Sequence, residues 1–202
     1  LNGIPLNTGM VTNDGHNAVS MKKDPAALRA FWLQLKLNAL RTEGVRLKDM
    51  PEDWFRFPEG RELNNAMTAS IGVFACNRML DAHQFPQARE AMESLLRDSS
   101  ALLGIHRSLL VNDLVFCALR DGEVEKADSM LTKAQKKFMR SMKSYPSILR
   151  TEYAYALVAE KDEAKAGQIR EKFRKLSHSY PYPSELARET ELFDLATGDP
   201  DL

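Results

Sequence analysis

The side chains that could hold a metal or attack a carbonyl carbon are few. Histidine occurs at positions 16, 83, 106 and 178 only, and cysteine at 76 and 117. A catalytic zinc needs three protein ligands and an open position for water. A helix supplies two of those ligands when histidines stand four apart in His-Glu-x-x-His, and that pattern is absent. A Gly-rich phosphate loop and a Gly-x-Ser-x-Gly nucleophile elbow are absent too. His83 and His106 fall at expected helix ends, with His178 near one, where capping or solvent accounts for them. Cysteine nucleophiles need an activated thiolate. Cys76 and Cys117 sit inside apolar helical patterns, so a reduced, buried pair is expected.

The elements that would position such groups read as helices. Residues 1–23 are rich in Asn, Gly and Thr and form an expected irregular arm. Asp24-Pro25 then starts a helix, Asp as the cap and Pro in the first turn. Leu28, Phe31, Trp32 and Leu35 follow at helical spacing, and Phe31, Trp32 and Leu35 are expected in the core. Gly44 ends this capping helix. Residues 45–58 carry Pro51, Trp54, Phe55, Phe57 and Pro58, an aromatic loop expected to pack onto the helices. From Glu59 onward helices alternate, with breaks near residues 83–86, 99–104, 121–123, 144–146, 161–162 and 179–183. A last helix runs from Ser184 to about Ala196. No segment alternates like a strand. The expected organisation is an arm over 1–23, a capping helix and loop over 24–58, and a helical repeat domain over 59–202.

The helices repeat with a period of 39, marked by Ala88, Ala127 and Ala166. Three further columns, Ile71/Leu110/Leu149, Ala75/Leu114/Tyr153 and Met79/Ala118/Leu157, keep the same period. So do Ala91/Met130/Ile169 and Leu95/Ala134/Phe173. Each helix pair has an apolar face it cannot bury alone, and the next pair covers it. In the middle unit Leu114, Ala118, Gly122, Ala127, Leu131 and Ala134 stand at offsets that resemble the tetratricopeptide repeat. The period is longer than that family's, and Gly122 lacks glycine counterparts in the flanking units. The expected fold is all-α: three stacked antiparallel helix pairs in a right-handed, tetratricopeptide-like solenoid. A plain antiparallel bundle is the alternative.

The arm carries one further pattern, Asn2-Gly3-Ile4-Pro5 followed by Asn13-Asp14-Gly15. This resembles the second metal-site motif of the site-2 protease family, membrane-embedded zinc metallopeptidases. The resemblance covers about fifteen residues, with a longer and less apolar spacer than the family's common form. It implies that Asp14 would be the third zinc ligand. The other two ligands and the general base would come from a His-Glu-x-x-His in a preceding membrane part. On this reading the chain is the C-terminal region of such a peptidase on the cytoplasmic side of the membrane. It would be unable to cleave or to hold zinc tightly alone, and it would recruit or position a protein substrate.

Composition narrows the alternatives. Lys plus Arg and Asp plus Glu are both 28, so formal charge is zero, which argues against an electrostatic nucleic-acid binder or an anionic-lipid surface. No apolar run reaches membrane-spanning length. A second reading is therefore a free-standing cytoplasmic docking module for a protein or peptide. The repeat register assigns Asn77, Asn112, Arg120, Thr151 and Tyr155 to its concave binding face. A third is a small-ligand domain whose pocket is closed by the Trp54–Phe57 loop.

Overall fold

The computed structural model describes residues 24–197. The arm and Asp14 lie outside the described residues. Among those described there are nine α-helices, three 3-10 turns and no strand. The first helix is α1 (Pro25–Thr42), followed by 3-10 turns at Leu47–Asp49, Glu52–Phe55 and Gly60–Asn64. Then come α2 (Ala66–Asp81), α3 (Phe85–Asp98), α4 (Gly104–Arg120), α5 (Val124–Met130) and α6 (Lys133–Ser141). The chain continues through α7 (Pro146–Val158), α8 (Glu163–Ser177) and α9 (Pro183–Asp194). The Asp24 carboxylate accepts from the amides of Ala26 and Ala27, both at 3.1 Å, so the first helix starts where Asp-Pro places it.

The repeat is built into the backbone as well as the side chains. Positive φ recurs at Gly44, His83, Gly122 and Lys161, each 39 residues after the last. The first three turns also close identically: the amides of Val45, Gln84 and Glu123 donate to the carbonyls of Leu40, Met79 and Ala118 at 3.0, 2.8 and 2.8 Å. This six-to-one bond satisfies a carbonyl that the helix end leaves free. Gly122 therefore does have counterparts, in which His and Lys accept a left-handed backbone without being glycine. Because the period reaches back to Gly44, α1 stands as a first helix whose partner helix is replaced by the 3-10 turns. Three complete pairs follow it: α2 with α3, α4 with α5 and α6, and α7 with α8.

Ala88, Ala127 and Ala166 are essentially inaccessible, at 0, 0 and 1% exposure, which places all three at close helix crossings. The columns through Ile71 and Ala75 are buried in every unit. The core continues into an aromatic cluster at the C-terminal end, where Phe193 lies 5.0 Å from Tyr153 and 4.3 Å from Phe173 between ring centroids.

Two features depart from expectation. On α1 the buried stripe is Ala27, Ala30, Leu33 and Leu37, while Leu28, Phe31, Trp32 and Leu35 point outward at 37–57% exposure. Both stripes have helical spacing, so periodicity alone does not choose between them. The small alanines let α1 lie close to α2, and Leu37 joins Leu47, Met50 and Phe55 of the following turns in one cluster. Second, the partner helix of α4 is broken at Leu131-Thr132. The Thr132 hydroxyl accepts from the Gln135 amide at 3.2 Å and starts a new helix. The Gln135 side chain then donates to the Ser108 carbonyl of α4 at 2.9 Å, which fixes the new helix in a rotated register. Ala134, in one column with the buried Leu95 and Phe173, is consequently exposed, and Met139 is buried instead.

Candidate functional site

Three regions of the fold could serve a partner or ligand: the inner face of the stack, the cleft beside α6 and the outer face of α1.

The inner face is closed by charge. Arg150 of α7 is fully buried, with one guanidinium nitrogen 2.5 Å from Asp113 of α4 and another 3.0 Å from Glu189 of α9. Its guanidinium also stacks over the Phe116 ring at 4.2 Å. Arg188 reaches Glu189 at 2.6 Å, and Arg41 of α1 reaches Glu185 at 2.5 Å. Three arginines thus alternate with three carboxylates, an arrangement that buried charges need if they are to stay ionised. Burial raises the Asp113 carboxyl above its usual range, against the pull of Arg150. A second latch lies at the rim, where Arg46 bonds to both Asp81 and Glu191 and the Lys48 amide donates to Asp81 at 2.9 Å. Together these contacts bring α9 against α1 and the segment after it.

The closure leaves a partly open cavity of about 260 Å³, with mixed polar and apolar residues from α1, α2, α4, α7 and α9 in its wall. Asn77, His106 and Tyr145 line it. Burial keeps His106 below the ordinary imidazole range. It pushes the Tyr145 phenol up to about 12. Both are therefore neutral near pH 7, and the nearby carboxylates are engaged with arginines. Among the described residues no group of three or more His, Cys, Asp and Glu could hold a metal ion. Burial also raises both thiols, Cys117 to about 12, so neither is an activated nucleophile.

The five residues assigned to a concave binding face do not form one face, although Thr151 and Tyr155 both line the cleft beside α6. Asn77 reaches the cavity. Asn112 and Thr151 are inaccessible at 0% exposure. Asn112 donates to the Ser147 carbonyl at 3.1 Å, and Thr151 bridges that carbonyl and the one of Asn112 at 3.1 and 3.3 Å. They join α4 to α7, because these first helices pack directly on each other where an open groove was expected. Arg120 lies over the Phe85 ring at 4.0 Å and pairs with Asp121. Tyr155 donates to Asp128 at 2.8 Å and lines a different, larger cleft of about 580 Å³ between α6 and α8.

That cleft was not foreseen. Its only signal in the sequence is the run from Lys133 to Lys143, which contains four lysines, one arginine and no acid. A pocket does form at the aromatic loop, with a volume of about 400 Å³ between α1 and Trp54; its wall is largely apolar, with Arg29, Asp53, Arg56 and Glu62 among its lining residues. Beside this pocket, Trp32 meets the edge of Trp54 at 6.4 Å between centroids, and Lys36 sits over both rings at 4.9 and 4.5 Å. Leu28, Phe31 and Leu35 extend this surface outward. A scan against protein-family models, a search of curated proteins and a search of solved structures each return no match.

Proposed function

We propose that this helical stack is a protein-docking region. It recruits or positions a substrate for a site-2-protease-like membrane zinc metallopeptidase and breaks no bond by itself. The observation that carries the docking role is the outward face of α1, where Leu28, Phe31, Trp32 and Leu35 are 53, 37, 52 and 57% exposed at one helical stripe. Burying a fully exposed side chain of this kind contributes about 1.5–3 kcal/mol, and covering these half-exposed ones contributes part of that; contiguous apolar surface of this kind marks an interaction site. The occupant is the membrane-embedded catalytic part of the same polypeptide. Support for that choice is positional: α1 is the first helix among the described residues, and it starts ten residues beyond Gly15 in the sequence. Asp14 would supply one of three zinc ligands, so a site completed by two histidines from the catalytic part is the only tight one.

The test uses the full-length gene product and a membrane-protein substrate. Trp32→Asp combined with Leu35→Asp should slow cleavage at least about tenfold, with zinc content and melting temperature unchanged. The 202-residue chain alone should cleave nothing. Cleavage by that chain, or undiminished cleavage by the double variant, overturns the proposal. A gene product without hydrophobic spans and His-Glu-x-x-His would favour the second reading, a free-standing cytoplasmic docking module. The contacts that close α9 onto α1, Arg41 with Glu185 and Arg46 with Glu191, support that reading because they tie the stack to itself.

A further inference from the structure

The cleft between α6 and α8 differs from the rest of the surface in its charge. Many arginines elsewhere are held: Arg41, Arg46, Arg89, Arg150, Arg174 and Arg188 pair with carboxylates. Lys136 and Arg140 on α6 and Lys172 on α8 line the cleft and make no ion pair among the described residues. Lys133 and Lys137 on the same short helix are likewise unpaired. In a chain of zero formal charge, this is a local surplus of cations.

Below the cations the cleft wall is mixed, with apolar residues set between Thr151, Glu152, Tyr155 and Gln168. Val115, Leu131, Met139 and Ile169 line it from four helical segments or their junctions. The opening exists because the chain breaks at Leu131-Thr132 and Gln135 holds α6 against α4. Of the two carboxylates in the wall, Glu160 is taken by Lys165 at 2.5 Å. Glu152 is partly buried beneath Lys172 and Lys165, and burial moves its carboxyl toward the neutral form.

We infer that this cleft is a docking site for an acidic peptide segment with apolar anchor residues. Apolar side chains would enter against Met139 and Ile169 while carboxylates meet Lys136, Arg140 and Lys172. The inference rests on the reading of the stack as a docking region and names its partner class. Charge complementarity selects the sign of the peptide, and the floor selects its amphipathic character. A lipid surface or a nucleic-acid backbone suits the site less well. Both call for an open basic face, whereas here the cations ring a concavity of about 580 Å³ that includes two carboxylates.

The experiment titrates the 202-residue chain into a fluorescein-labelled peptide of about fifteen residues that alternates Glu or Asp with Leu or Phe. The readout is anisotropy at low salt. Binding is expected at about 10–100 μM, with a Glu→Gln and Asp→Asn version of the peptide at least about tenfold weaker. Lys136→Glu with Arg140→Glu should weaken the acidic peptide by at least about tenfold, and Lys172→Glu by about threefold. Circular dichroism checks that these variants keep their melting temperature, and Arg61→Glu, outside the cleft, should bind as the parent chain does. Two results would overturn the inference: no binding of the acidic peptide at millimolar concentration, or binding indifferent to the α6 reversals. Tighter binding of phosphatidylserine vesicles or of a single-stranded oligonucleotide than of the peptide would also overturn it. Failure here leaves the α1 face untouched, because the Trp32 and Leu35 variants test that face separately.

Discussion

Arg150 illustrates what single residues decide in this fold. Its guanidinium is inaccessible, and it neutralises Asp113 and Glu189 from two helices at once. Removing one member of a buried ion cluster strands the others without water. Arg150→Ala should therefore lower the unfolding free energy by about 3–5 kcal/mol in urea titrations. Arg174→Ala, whose pair with Glu171 is solvent-exposed, should leave it essentially unchanged. His106 gives a pH test of the central cavity. Burial depresses its pKa, so the unfolded chain takes up a proton more readily than the folded one. Its contribution is complete above about pH 6.5 and is lost as pH falls from there toward the depressed value. The melting temperature should fall on acidification from about pH 7.5 to 5.5, and His106→Gln should flatten that fall. An equal fall in both proteins would place the titration elsewhere.

The elements obey a 39-residue rule that part of the sequence declares openly. The expected breaks between helices all occur, and Ala88, Ala127 and Ala166 sit at crossings, because helix caps and small residues act locally. Other features are not local. The α1 helix carries two stripes of equal period, and only contact with α2 and the following turns decides which is buried. The break at Thr132 needs the Ser108 carbonyl, 27 residues earlier, to hold Gln135 in place. The cleft beside α6 and the burial of Asn112 and Thr151 follow from such distant contacts, so spacing alone missed them. Glycine substitutions separate the turn rule from helix propensity. Gly122 has φ of +77° and nothing within 4 Å of an added Cβ, so Gly122→Ala should cost about 1–2 kcal/mol from backbone strain alone. Gly167, inside α8 with equally open surroundings, should give a gain of about 0.5–1 kcal/mol on the same change. Equal signs for the two would contradict the left-handed turn.

At the scale of the molecule, the stack curls until its last helix meets its first. Arg41 with Glu185, Arg46 with Glu191 and the Ser184 hydroxyl on the Arg41 carbonyl make that junction. Aromatic packing of Phe193 on Tyr153 and Phe173 holds α9 from the other side. The inner face is thereby occupied, and no helix among the described residues is long and apolar enough to cross a membrane. What stays available for a partner is outside: the apolar face of α1 and the cationic cleft beside α6. The central proposal is that the α1 face is covered by the catalytic part proposed to belong to the same polypeptide. Hydroxyl-radical footprinting tests this directly by comparing the 202-residue chain with the full-length gene product. The account predicts strong labelling of Phe31, Trp32 and Leu35 in the short chain and their protection in the long one, with Leu103 and Ile105 labelled alike in both. Equal labelling of Trp32 and Leu35 in the two proteins would contradict it.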